Sequence, residues 1–202
     1  MRHLDLHSFL ATEMSICAGR TYRQLKNVHR AHILTEMIDR TANLLGALGL
    51  AVADRIEETA RDIINHAGET PAALVVIGYG LGPTNDRLRR ILGLSHPGTV
   101  RLVDRLVADG LVQRQSGADK RSIALFLTER GHATRRALLK RRLAAIRPLL
   151  EPLTASQKHA LDEILHTVLE AMPQSDLDRC RLCRMCDDKV CSDCPIPAAF
   201  RT

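Results

Sequence analysis

The stretch LSHPGTVRLVDRLVADGLVQR, residues 94–114, contains a change of period that decides the fold. Ser95 is a helix N-cap candidate, because its hydroxyl can accept a hydrogen bond from an otherwise orphaned backbone N–H. Beyond it Val100, Val103, Leu106 and Val107 recur at helical spacing and make a single inward stripe. Gly110 interrupts that pattern, and LVQRQ then alternates apolar and polar side chains as a half-buried strand does.

Working upstream, Thr84 can cap TNDRLRRIL, with Asn85 and Asp86 in its first turn and Gly93 ending it. Two short helices separated by Gly-Leu-Ser make a helix-turn-helix. Downstream, SGADK is turn-rich and RSIALFL alternates again, so the pair of strands forms a hairpin, a wing. Leu111, Ile123, Leu125 and Leu127 are expected to face the core, with Ser116 to Arg121 as a charged tip.

Longer helices flank this unit. From Met37 the residues Leu44, Leu48, Val52, Ile56, Ala60 and Ile63 fall at steps of three, four or seven, which predicts one amphipathic helix ending near Gly68. Thr70 then offers an N-cap, with Pro71 at the first helical position, for a short apolar helix that Gly80 and Gly82 stop. Thr128 starts a long basic helix over 129–150, and Thr154 with Gln157 forms a capping box for a last helix through Met172. The fold class expected is mainly α with a small β-hairpin wing, a winged helix-turn-helix whose terminal helices invite dimerisation. Three regions follow: an extension over 1–36, a winged core over 37–172 and a cysteine-rich tail over 173–202.

Composition narrows the function. With 45% hydrophobic and 26% charged residues among 202, the chain reads as globular, large enough for one sizeable core and a small appendage. A net charge of +6 favours a polyanionic partner, while 2% aromatics argues against stacking on unpaired bases. No Gly-rich phosphate loop, nucleophile elbow or paired-carboxylate pattern is present, so no enzyme is expected. No apolar run reaches membrane-spanning length and no signal-peptide pattern opens the chain, so a cytoplasmic location is expected.

Residues 37–172 resemble the MarR family of winged helix-turn-helix regulators. The resemblance rests on the opening stretch, on the wing GADKRSIALFLTERG and on PLTASQKHALDEIL at the final helix, in that order and spacing. It implies a homodimer with interleaved terminal helices that binds a pseudo-palindromic site in double-stranded DNA, usually as a repressor. Family members commonly hold small-molecule effectors between the dimer helices and the winged domain, although no residue here identifies one. The extension, the tail and His96-Pro97-Gly98 depart from the shared pattern.

A helix N-terminus aimed into the major groove brings its dipole to phosphates and its first-turn side chains to base edges. Ser95, His96, Thr99 and Arg101 are the candidates, with Arg101 either a guanine reader or a phosphate contact and Thr99 a base or phosphate contact. Asp104 and Arg105 are expected to pair within the helix or with the wing. In the family an Asp and an Arg of the wing face DNA; they correspond to Asp119 and Arg121, with Lys120 between them. The basic run Arg135, Arg136, Lys140, Arg141 and Arg142 reads as a solvated helix face.

The tail CRLCRMCDDKVCSDCP, residues 180–195, holds Cys180, Cys183, Cys186, Cys191 and Cys194, whereas Cys17 stands apart. Cys183-x2-Cys186-x4-Cys191-x2-Cys194 supplies four soft ligands for tetrahedral zinc or an iron–sulfur cluster, with Cys180 a spare or a substitute. The spacing matches neither a bacterial ferredoxin nor a zinc ribbon, so both cofactors stay open, with metal-free thiols or disulfides as the alternative to either. An alternative makes this tail the active centre of a redox or electron-transfer protein, with the winged domain as its docking platform. The histidine pairs His29 with His32 and His159 with His166 read as surface positions.

Overall fold

The computed structural model describes residues 35–64, 68–117, 122–191 and 193–196. Elements follow in the order α1 (35–61), α2 (Thr70–Ile77), α3 (Asn85–Leu92), α4 (His96–Ala108), β1 (Val112–Ser116), β2 (Ile123–Leu127), α5 (Glu129–Ile146), a 3-10 turn (Arg147–Leu150), α6 (Ala155–Ala171) and α7 (Asp176–Cys183). The wing is a two-stranded antiparallel hairpin whose register runs from Val112 opposite Leu127 to Ser116 opposite Ile123.

The chain divides into two units, 1–51 and 52–202. The described part of the first is helical, and Met37, Ile38, Leu44, Leu45, Leu48 and Leu50 on it are exposed. In the second unit α2 is buried along its whole length. That explains why TPAALVVI is apolar on every side, since a helix surrounded by protein needs no polar face. Leu88 of α3, Leu102, Val103 and Leu106 of α4, Leu125 of β2 and Leu138 of α5 complete one core with it. Each such side chain contributes about 1.5–3 kcal/mol by leaving water. β2 also gains a backbone hydrogen bond outside the hairpin, from Leu125 N–H to the Pro83 carbonyl at 3.1 Å.

Local signals placed most helix starts. Thr84, Ser95, Thr128 and Thr154 each accept a backbone N–H at the head of α3, α4, α5 and α6, and Thr154 with Gln157 closes a reciprocal capping box. Several expectations are corrected. α1 ends at residue 61, short of Gly68. Glu69, not Thr70, is the N-cap of α2, because Thr70 is buried inside the first turn. The inward stripe of α4 is Thr99, Leu102, Val103 and Leu106, while Val100 and Val107 are only half-buried. Ile123 is 56% exposed, since it pairs with Ser116 at the far end of a hairpin that projects past the core. The basic helix turns to 3-10 geometry at Arg147, where Pro148 removes a backbone donor. α7 appears in the tail, capped by Ser175, whose hydroxyl accepts from Asp178 N–H at 3.2 Å.

Candidate nucleic-acid interface and the cysteine loop

Gly93 ends α3 in the left-handed region at φ 68°, and Leu94 N–H returns to the Arg89 carbonyl at 3.1 Å. Two residues later Ser95 Oγ caps α4 by accepting Gly98 N–H at 3.2 Å. Ser95, His96 and Arg101 are exposed, so the positive end of α4 is bordered by three of the four side chains that the sequence singled out. Thr99 is the correction. It is 0% exposed and its hydroxyl donates to the Ser95 carbonyl at 3.1 Å, so it fastens the first turn from inside and does not face outward.

The outer face of α4 is tied to the wing, because Asp104 accepts an ion-paired hydrogen bond from Arg114 of β1. This realises the expected pairing of Asp104 with the wing. The wing base is fixed in turn by Thr128, whose N–H reaches the Leu111 carbonyl at 3.0 Å and whose hydroxyl donates to the Gly110 carbonyl at 2.6 Å. Asp119, Lys120 and Arg121 lie outside the described residues, as does Cys17.

Residues 70–122 match the family described as the MarR family. Over 88 residues the chain is 31% identical to the transcriptional repressor MprA of Escherichia coli strain K12, covering 43% of this chain and 50% of that protein. The chain thus spans about half the length of the curated relatives it matches. The winged core is thus similar to the MarR family over the matched residues, 70–122. The fold is similar to that of wild-type MarR from Escherichia coli in its apo form, with TM-score 0.52 and 24% identity over 64% of this chain and 97% of the other. It is also similar to RV1404 from Mycobacterium tuberculosis, with TM-score 0.57 and 24% identity over 66% of this chain and 92% of the other.

Against the winged core the tail folds back. Cys180 of α7 is 1% exposed and belongs to the main core, with Arg87 Nη2 of α3 lying 3.9 Å from its sulfur. Arg181 donates from Nε and Nη2 to the Arg90 carbonyl at 3.3 and 3.2 Å, a cation at the last turn of α3 where the helix dipole favours it. Past α7 the chain turns through Cys183 and Cys186, whose carbonyl oxygens lie 3.0 and 2.9 Å from the Tyr79 hydroxyl. Its single proton is shared between them, so one residue of the core clamps both ends of Cys183-x2-Cys186.

Beneath Tyr79 lies Arg135, with its guanidinium carbon 5.1 Å from the ring centroid. Sequence reasoning set Arg135 on a solvated face; it is in fact 8% exposed. Its Nε donates to the Val75 carbonyl at 3.4 Å and its Nη2 meets Asp188 at 3.3 Å. Arg136, Lys140 and Arg141 are exposed, as expected. On the opposite side Leu169 of α6 packs with Cys183, Cys186 and Ile196. His166, expected at the surface, has a buried Nε2 without a hydrogen bond, 3.7 Å from Asp193.

A hydrogen bond between the Cys183 and Cys186 side chains pulls the Cys186 thiol down to about 6 against the effect of burial, with Arg142 assisting. The same bond, together with burial, pushes Cys183 up. Burial also raises Cys180, Cys191 and the Tyr79 hydroxyl. Among the described residues no three His, Cys, Asp or Glu side chains converge to hold an ion. Tyr79 and Arg135 were missed because their partners lie 104, 107 and 53 residues away, beyond any local pattern.

Proposed function

We propose that the chain is a non-enzymatic, DNA-binding transcriptional regulator of the MarR family that acts as a homodimer, most simply as a repressor. The observation that carries this reading is the capped, outward-facing N-terminus of α4, with Ser95, His96 and Arg101 exposed and Asp104 tied to the wing through Arg114. Arg101 contributes a base or phosphate contact, and Lys120 and Arg121 extend the contact into the adjacent minor groove, where negative potential attracts arginine. Support for a dimer comes from α6, on which Ile164, Leu165 and Val168 are exposed, with its C-cap Met172, and from the exposed apolar residues of α1. Two such helices in water favour covering each other in a second copy. A small-molecule effector held by the dimer remains part of this proposal through family resemblance.

The test starts from duplexes selected by the full-length protein out of a random pool, with affinity followed by fluorescence anisotropy. Arg101→Ala and Arg121→Ala are each expected to weaken the selected site by about tenfold, corresponding to about 1–3 kcal/mol per base contact. Binding that shows only salt sensitivity, with no sequence preference, overturns the proposal. Truncation after Met172 is unsuitable as a test because it removes Cys180 from the core.

The cysteine loop is proposed as an input to this regulator. Its thiolates supply soft ligands for zinc or for an iron–sulfur cluster, either of which neutralises clustered thiolate charge. Metal and sulfide analysis with an absorbance spectrum of anaerobically purified protein distinguishes the two. Metal-free protein with every tail thiol titratable removes the cofactor from the proposal.

A further inference from the structure

Two of the tail thiols are brought together and held there. Cys183 ends α7, and Cys186 N–H returns to the Cys183 carbonyl at 2.9 Å, closing a four-residue turn. Such a turn keeps its end Cα atoms within about 7 Å, and a disulfide spans about 4.4–6.8 Å between Cα atoms. The two side chains hydrogen-bond to one another, and Cys186 packs against the small cluster formed by Cys183 and Ile196. The Tyr79 hydroxyl, 3.0 and 2.9 Å from the two carbonyl oxygens, ties both ends of the turn to the core.

We propose that Cys183 and Cys186 form a reversible disulfide by exchange with a low-molecular-weight disulfide of the glutathione class, Cys186 attacking, Cys183 resolving and Tyr79 positioning the pair. This inference rests on neither the DNA-binding nor the cofactor reading.

Exposure sets the order of attack. Cys183 is only 7% exposed, whereas Cys186 is half-buried, so a small reagent meets Cys186 first. The Cys186 thiol gives its proton to water and its sulfur attacks one sulfur of the small disulfide. That S–S bond breaks, a mixed disulfide forms on Cys186, and the departing thiolate takes up a proton. Cys183 then loses its proton and attacks the Cys186 sulfur, which expels the second small thiol. Two protein thiols and one small disulfide have become one protein disulfide and two small thiols, so protons and electrons balance. The second step is intramolecular between groups already side by side, which keeps the mixed disulfide short-lived.

The remaining cysteines are placed differently. Cys180 is buried in the main core beside Arg87, and Cys191 and Cys194 are exposed, past the turn that Tyr79 restrains. Tyr79 acts through the backbone and touches neither sulfur in this account. By holding both carbonyls it removes freedom that the open dithiol would otherwise lose on closing.

The experiment uses full-length protein, reduced and treated with chelator, then equilibrated in mixtures of reduced and oxidised glutathione. After an acid quench the free thiols are alkylated and a non-reduced tryptic digest is read by mass spectrometry. Cleavage after Arg179, Arg181, Arg184 and Lys189 puts Cys180, Cys183 and Cys186 on separate peptides and Cys191 with Cys194 on a fourth, so each pairing has its own mass. The first disulfide to form is expected to join peptide 182–184 to peptide 185–189, and excess reduced glutathione should reopen it. Cys183→Ser should stop at a glutathione adduct on Cys186, and Cys186→Ser should leave Cys183 unmodified. Tyr79→Phe should lower the equilibrium constant for closing the disulfide about threefold, the scale of one lost hydrogen bond. A different first pairing, such as Cys191 with Cys194, or no disulfide at all, overturns the proposal. An adduct on Cys183 in Cys186→Ser reverses the assigned roles and overturns the order of attack. An unchanged constant in Tyr79→Phe overturns the positioning role of Tyr79.

Discussion

The side chain of Arg135 crosses Gly78 so closely that a Cβ on Gly78 would stand 2.2 Å from Arg135 Cδ and 2.6 Å from its Nε. Gly78 caps α2 at φ −71°, an ordinary helical value, so space and not backbone freedom requires glycine there. Gly78→Ala is expected to displace Arg135 from Tyr79 and Asp188. The loss should be about 1–3 kcal/mol, the usual cost of overpacking, read as a lower urea midpoint. An unchanged midpoint would mean that Arg135 swings aside freely and is no fixture of the core.

A second close approach holds the wing. A Cβ on Gly131 would lie 2.0 Å from the Leu111 carbonyl oxygen and 3.2 Å from Leu127 Cβ. Here the obstacle is backbone, already bonded to Thr128 N–H, and it cannot rotate out of the way. Gly131→Ala should therefore destabilise more than Gly78→Ala, by about 3 kcal/mol or more. Parallel urea titrations decide the order, and a smaller loss at Gly131 contradicts the packing described.

What was legible in the sequence was local. Thr84, Ser95, Thr128 and Thr154 announced their helices because a capping hydroxyl and its N–H are separated by only three residues. Ser175, with Asp176 and Asp178 in the first turn, carries the same local signal, but α7 behind it is only eight residues long and has no apolar period to mark it as a helix. Period alone misjudged Ile123, because alternation says which face a residue takes and not how far the core extends beneath it. Arg135 was unreadable for the opposite reason. Its stem and guanidinium are buried by Gly78, Tyr79 and a loop about 53 residues on, and only the folded chain brings these together.

The exposed apolar face of α6 makes the proposed dimer testable without disturbing the core. Ile164, Val168 and Met172 follow one another at four-residue steps, and no residue of α6 is buried. An aspartate in the middle of this stripe would meet apolar or like-charged neighbours in a paired copy but only water in the monomer. Val168→Asp is expected to weaken self-association at least about tenfold, or 1.4 kcal/mol, with the far-ultraviolet circular dichroism unchanged. Sedimentation velocity at micromolar concentration provides the measurement. A monomeric wild type, or an undiminished dimer in the variant, removes α6 from the interface.

The thiols supply the last prediction, made for reduced, chelator-treated protein. Cys186 is lowered to about 6, chiefly by its hydrogen bond with Cys183 and further by Arg142. A thiol whose folded value is depressed contributes stability above its unfolded value, and this contribution is lost as pH falls through about 6. Its reactivity follows the same ionisation. Alkylation by iodoacetamide, located by peptide mass spectrometry, should reach half its limiting rate at Cys186 near pH 6. Cys183, pushed up by the same hydrogen bond and by burial, should stay the slower of the pair at neutral pH. Cys183→Ala removes the donor, so the profile of Cys186 should move toward alkaline pH. If that profile stays in place, Arg142 or another charge holds the thiolate, and the Cys183–Cys186 hydrogen bond is not its principal cause.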